Sequence, residues 1–172
     1  MSTSNDYGTE MFITGLKNQH GVENQAVSLL SRQVERLENY PEMEARMRQH
    51  IDESKVHAQR LEELLSKLGT SHSSLKDAGL SFMGNMAAVA HTVAPDEVIK
   101  NTLANFAFEH FEIASYKSLL TVAGQIGQSG AESALKQSLQ EEIAMAQWIV
   151  EHLAPTTLRY LELSRSGQKA GV

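Results

Sequence analysis

Four long stretches of this chain repeat apolar residues every three or four positions, and each repeat meets a glutamate near its middle. The spacing is that of a helix with one buried face, and a carboxylate on such a face needs a chemical reason. From about 9 to 38 the stripe reads Ile13, Leu16, His20, Glu23, Val27, Leu30, Val34, Leu37. From about 41 to 68 it reads Met43, Met47, His50, Ser54, His57, Leu61, Leu64, Leu68, with Glu53 beside it between the two histidines. A third stretch opens at "APDE", with Asp96 as its cap. It carries Ile99, Thr102, Phe106, Glu109, Ile113, Tyr116, Leu120 and Ala123, with Glu112 at one edge. The fourth, about 131 to 163, carries Leu135, Leu139, Glu142, Ala146, Ile149 and Leu153.

The breaks set the architecture. Pro41 disfavours helix at Tyr40 and suits the first turn of a new helix, so "ENYPEM" separates helices one and two. Gly69 closes the second, and "GQIGQSG" separates the third from the fourth. Between the two hairpins, residues 75–93 read as a shorter helix within a long crossover. The expected fold is therefore all-α, a ferritin-like four-helix bundle crossing over between helices two and three. Its expected span is 9–163, between a flexible 1–8 and a loose tail at 164–172, with Pro155 placed to kink the last helix.

Composition removes several function classes. With 15 basic against 21 acidic residues the net charge is −6, which argues against nucleic-acid binding. No eighteen-residue apolar run offers a membrane span, and "MSTSNDYGTE" lacks the pattern of a secretory leader, so a cytoplasmic protein is expected. The absence of cysteine rules out disulfides, thiolate metal ligands and thiol nucleophiles.

Glu23, Glu53, Glu109 and Glu142 each lie near a helix midpoint, and midpoints meet at one level in an antiparallel bundle. Ionised carboxylates gathered there must be neutralised by cations or stay protonated with raised pKa values. Four carboxylates joined by His50 and His57 suit a pair of divalent ions, iron or manganese before others, and nothing calls for haem or a nucleotide. Tyr116 is placed to hydrogen-bond behind the ligands or to act as a redox neighbour. His20 reads as a hydrogen-bonded core histidine, His110, His72 and His91 as surface or packing residues, and the methionines as core filler.

Three segments, "EHFEIASYKSLL" (109–120), "NYPEMEARMRQHIDESK" (39–55) and "EEIAMAQWIVEHL" (141–153), resemble the YciE/YciF-type bacterial stress proteins. The resemblance runs from about residue 7 to 163, and the tyrosine–proline turn and length bring it nearer the YciE branch. It implies a rubrerythrin-like bundle, commonly dimeric, induced in stress. Carried onto this sequence, the ferritin-like di-metal pattern takes Glu23 from helix one and Glu109 from helix three, with Glu112 extra. On helix two the residue three after Glu53 is Val56, and the imidazoles are His57 and His50 instead. On helix four Glu142 matches, but Met145 stands where a histidine is expected, leaving one metal position short of an imidazole unless Glu112 or His50 fills it. In this reading Glu53 and Glu142 bridge, Glu23 and Glu109 are terminal, and His57 and His50 give nitrogen. The function implied is metal-dependent oxidation or peroxide handling, with peroxide or dioxygen as the small oxidant. The alternative is a non-catalytic helical scaffold whose metal site has decayed.

Overall fold

A computed structural model describes residues 4–70 and 96–171. Helix α1 spans Ser4–Val34, α2 Pro41–Lys67, α3 Glu97–Gln125 and α4 Ser129–Arg165, and no strand occurs among the described residues. The expected crossover helix at 75–93, with His72 and His91, lies outside the described residues.

The helix ends follow local chemistry. Pro41 occupies the first turn of α2, where a missing N–H costs nothing. Gly69 (φ 74°) and Gly127 (φ 73°) take the left-handed conformation that ends α2 and α3. Behind them the N–H groups of Thr70 and Gln128 return to the carbonyls of Leu65 and Ala123, at 3.0 and 2.8 Å. Asp96 precedes α3, but its side chain does not cap the helix and pairs with Lys100 at 2.8 Å. Helix α1 starts at Ser4, earlier than expected, and ends at Val34, after which tight turns lead to Tyr40. Helix α4 continues through Pro155 to Arg165. The tail beyond it folds back: Tyr40 donates its hydroxyl to the Ala170 carbonyl (2.6 Å), and Asn39 donates to that of Lys169 (2.8 Å).

Each helix packs against two neighbours. Pairs α1–α2 and α3–α4 are hairpins, α1 also packs on α3, and α2 on α4. Contacts such as Gln33–Asn105 and Tyr116–Glu23, or Arg60–Ser138 and His57–Glu141, show that these cross-hairpin neighbours run antiparallel too. The parallel helices α2 and α3 are thus diagonal. A 27-residue α2 is about 40 Å long, so the chain must travel the length of the bundle before α3 begins. That is the physical reason for the long crossover.

Two separate apolar clusters fill the interior. One joins Phe12, Leu16, Leu61, Leu65, Leu119 and Leu135; the other joins Leu30, Val34, Met43, Met47, Met145 and Ile149. Between them, at mid-height, the core turns polar. No helix among the described residues is long and apolar enough to cross a membrane.

Candidate metal centre

Six buried side chains meet at that level: Glu23 from α1, His50 and His57 from α2, Glu109 and Glu112 from α3, and Glu142 from α4. They form two groups able to hold a metal ion. His50, Glu109, Glu112 and Glu142 make one; Glu23, His57 and Glu142 make the other. In each, the potential ligand atoms all lie within 4.8 Å of one another.

Glu142 belongs to both groups and divides its oxygens between them. Its Oε1 lies 2.7 Å from Nδ1 of His57, and its Oε2 lies 3.5 Å from Nε2 of His50. Glu109 Oε2 stands 3.3 Å from His50 Nε2, and Glu23 Oε2 stands 3.3 Å from His57 Nδ1. Despite these short separations, Glu23 Oε2, His50 Nε2, His57 Nδ1, Glu109 Oε2, Glu112 Oε2 and both oxygens of Glu142 have no properly directed hydrogen bond. Buried polar atoms are rarely left this way, and seven of them converging, all carboxylate oxygens or imidazole nitrogens, are of the kind that could hold a metal ion. Four carboxylates with two neutral imidazoles also match the charge of two divalent ions.

The outward nitrogen of each imidazole is fixed by a carboxylate. His50 Nδ1 donates to Glu53 Oε2 (2.9 Å), and His57 Nε2 donates to Glu141 Oε2 (2.7 Å). Both acids are held by further donors: Glu53 by Arg46 (3.0 Å) and Gln49 (2.7 Å), Glu141 by Arg60 (2.6 Å) and Gln137 (3.2 Å). Burial works against the charge on Glu53, but the His50 hydrogen bond, the Arg46 guanidinium and Gln49 more than offset it and hold the carboxyl at about 2. In Glu141 burial is likewise outweighed, by Arg60, His57 and Gln137, and its pKa is lowered. An ionised carboxylate only accepts, so a proton sits on the outer nitrogen, and the inner nitrogen is the one that would exchange its proton for a metal ion.

The inner groups show what their mutual proximity costs without a cation. Burial, with the Glu23, Glu142 and Glu109 charges behind it, raises Glu112 well above the ordinary carboxylate range. Burial pushes Glu142 up to about 8 against the pull of His57, with Glu23 and Glu109 adding to the rise. Burial disfavours charge on His50, yet Glu109, Glu53 and Glu142 raise it to about 10; His57 reaches about 10 in the same way through Glu142 and Glu23. On the α1 side, Tyr116 donates to Glu23 Oε1 at 2.5 Å, and Gln19 donates to the same oxygen at 3.0 Å. Burial and the Glu23 charge push the Tyr116 phenol well above its usual value, so it stays protonated and donates.

Glu53 and Glu112 sit differently from their positions on the expected stripes. Glu53 is not among the converging groups: it sits three residues after His50 on the same helix, so it meets the imidazole from behind. Glu112, expected at the edge of its stripe, is fully buried at the centre. Helix α3 turns Thr102, Asn105, Glu109, Glu112, Tyr116, Leu119 and Ala123 inward, while Ile99, Phe106, Ile113 and Leu120 are only half-buried. Where the ferritin-like pattern places one imidazole on helix four, this fold brings both inward imidazoles from α2. Two helical turns separate His50 and His57, about 10 Å along the axis, yet the rings lean together to 6.5 Å and serve opposite halves of the site. Met145 instead belongs to the apolar cluster with Met43 and Met47.

Tyr116, Glu23, His50, His57, Glu109 and Glu142 are all buried on the inward faces of their helices. His20 is hydrogen-bonded to Glu62 (2.8 Å) outside the centre, and His110 is exposed. Sequence reading missed Gln19, Glu141, Arg46 and Arg60. Their signal was spacing: Gln19 precedes Glu23 by one turn, and Arg60 follows His57 by three residues.

Comparison with known proteins agrees with this architecture. The chain is 27% identical to protein YciF of Escherichia coli (strain K12) over 146 residues, spanning 78% of this chain and 83% of YciF. Its fold superposes on the crystal structure of a protein from Xanthomonas campestris pv. campestris with a TM-score of 0.77 at 28% identity, covering 92% of this chain and 99% of the other. The crystal structure of the E. coli stress protein YciF gives a TM-score of 0.67 at 23% identity, covering 90% of this chain and 96% of that one. Residues 8–162 match the family described as a domain of unknown function, DUF892, and to that family, which has YciF-type stress proteins among its relatives here, the chain belongs.

Proposed function

We propose that this protein is a stress-associated dinuclear metal protein, with iron or manganese held by Glu23, His50, His57, Glu109, Glu112 and Glu142, and Glu142 shared between the two ions. The observation that carries the reading is the set of seven converging buried donor atoms without hydrogen-bond partners, on imidazoles whose outer nitrogens are already pinned by carboxylates. Oxygen-rich ligands with one imidazole per ion favour iron or manganese over softer metals. Bound there, such ions supply redox and Lewis-acid chemistry toward peroxide or dioxygen. The chain's own residues orient the imidazoles, keep bulk water out with the two apolar clusters, and hold a proton on Tyr116 beside Glu23. An outer stripe on α4, with Ile143, Val150, Leu158 and Leu161 exposed, supports a homodimer.

The test is metal content by mass spectrometry after iron or manganese loading and desalting. Two ions per chain in the wild type, lost in Glu142→Gln, are the expected result. A second reading, a non-catalytic scaffold, draws on the raised pKa values of Glu112 and Glu142, which let the acids stay neutral without metal. No bound ion and an unchanged melting temperature in chelator would favour it.

A further inference from the structure

Gln19 stands one helical turn before Glu23 on α1 and is completely buried. Its amide nitrogen donates to Oε1 of Glu23 at 3.0 Å and to Oε1 of Glu112 at 3.4 Å. Those carboxylates belong to different halves of the centre, Glu23 beside His57 and Glu112 beside His50. An amide NH2 carries two hydrogens, so one goes to each half. Two acceptor oxygens also fix which end of the amide faces them, because a carbonyl there would meet only lone pairs.

The two carboxylates are left in matching states. Each has its Oε1 held by Gln19, and each keeps an Oε2 without a hydrogen-bond partner. Glu23 Oε2 lies 3.3 Å from His57 Nδ1, so on this residue the free oxygen is the one beside the imidazole. The other end of the amide gains nothing, since Gln19 Oε1 is buried and unpartnered. For stability alone an apolar side chain of the same length serves better, because it leaves no carbonyl stranded in the core.

We infer that Gln19 is a positioning residue for both ions of the proposed centre: it holds the outer oxygen of one carboxylate in each half and leaves the inner oxygens for the metal. This role rests on the metal-centre reading above. Glu142 joins the two halves from α4 by being shared between them, and Gln19 joins them from α1 without itself being a ligand. Tyr116 offers the contrast, because its single hydroxyl hydrogen goes to Glu23 and so serves one half.

The test is manganese(II) binding by the full chain, titrated against a competing chelator and followed by electron paramagnetic resonance, which separates isolated ions from a spin-coupled pair. The wild type is expected to bind two ions as a coupled pair. Gln19→Met keeps the side-chain length and removes both donors. It should still saturate at two ions, with both binding steps weakened by about 10–100-fold and the resonance of the pair altered. Tyr116→Phe should weaken one step and spare the other. Melting temperatures in chelator show whether Gln19→Met has kept its fold, and Gln19→Leu repeats the measurement should it not. Wild-type affinity in a folded Gln19 variant, or a loss confined to one step, overturns the proposal. A wild type that takes up no manganese sinks the metal reading and this role together. Two ions bound by the wild type and equally well by Gln19→Met sink this role alone.

Discussion

Tyr116 and Glu23 are joined across the α1–α3 interface by a 2.5 Å hydrogen bond, with both side chains wholly buried. The phenol is the shorter of two donors to Glu23 Oε1, Gln19 being the other. Tyr116→Phe leaves that oxygen with Gln19 alone, and the metal-free protein should lose about 1–3 kcal/mol. Thermal melts in chelator measure this loss. Metal stoichiometry should persist, because the phenol is not among the converging donors.

Glu142→Gln separates stability from metal binding. The carboxyl is pushed up to about 8, so much of it is already neutral at pH 7 in the metal-free fold, and an amide of the same shape should change the chelator melt little. Both halves of the centre share this residue, so the metal-dependent rise in melting temperature should vanish. A variant that still gains stability from iron or manganese would refute the shared role.

The pH dependence has a fixed sign. Glu142, raised to about 8, and His50 and His57, raised to about 10, bind more protons folded than unfolded. Their contribution is complete below the unfolded pKa values and is lost as pH rises through the folded ones, so the metal-free protein should weaken progressively from about pH 5 to pH 10. Glu53, held at about 2, acts oppositely, and its contribution disappears only as pH falls toward 2. Metal ions compete with the same protons, so metal-induced stabilisation should grow from about pH 6 to pH 8. Parallel melts with chelator and with manganese test both trends.

Glu53→Gln and Glu141→Gln should behave as a pair. Each removes a carboxylate behind an imidazole and leaves the converging donors in place. Metal affinity should fall by about 10–100-fold while saturation still reaches the wild-type number of ions. Titration against a competing chelator measures this. Loss of one ion in Glu53→Gln alone would make Glu53 a ligand after all.

Met145→His installs the histidine that the ferritin-like pattern expects on helix four. Met145 is 1% exposed within an apolar cluster, so an imidazole there lacks partners and should destabilise the fold by about 1–3 kcal/mol. Mass spectrometry should find no additional metal, since His50 and His57 already serve the two halves.

The fold was legible because it depends on periodicity and punctuation. Stripes of three-and-four spacing, Pro41, Gly69 and the glycine-rich break after α3 determine four helices and their pairing, since each acts through nearest neighbours on one helix. The stripe of α2 is legible almost residue by residue, because its polar members, His50, Ser54 and His57, lie on one line with its buried apolar ones. Those of α1 and α3 are rotated slightly from their sequence reading: Phe12, Gln19 and Ala26 face inward on α1, and Glu112 on α3.

A rotation of that size is invisible in sequence, where an apolar stripe is wide enough to accept several registers, yet it decides which carboxylate enters the centre. The sequence by itself determined that acids and imidazoles would meet at mid-height in a helical bundle. Only the tertiary structure decided that Glu112 is inside and Glu53 behind His50, and that two histidines of one helix serve two halves of the site. Those outcomes depend on how neighbouring helices turn about their axes as they pack, and packing against a partner is a property no single stripe contains.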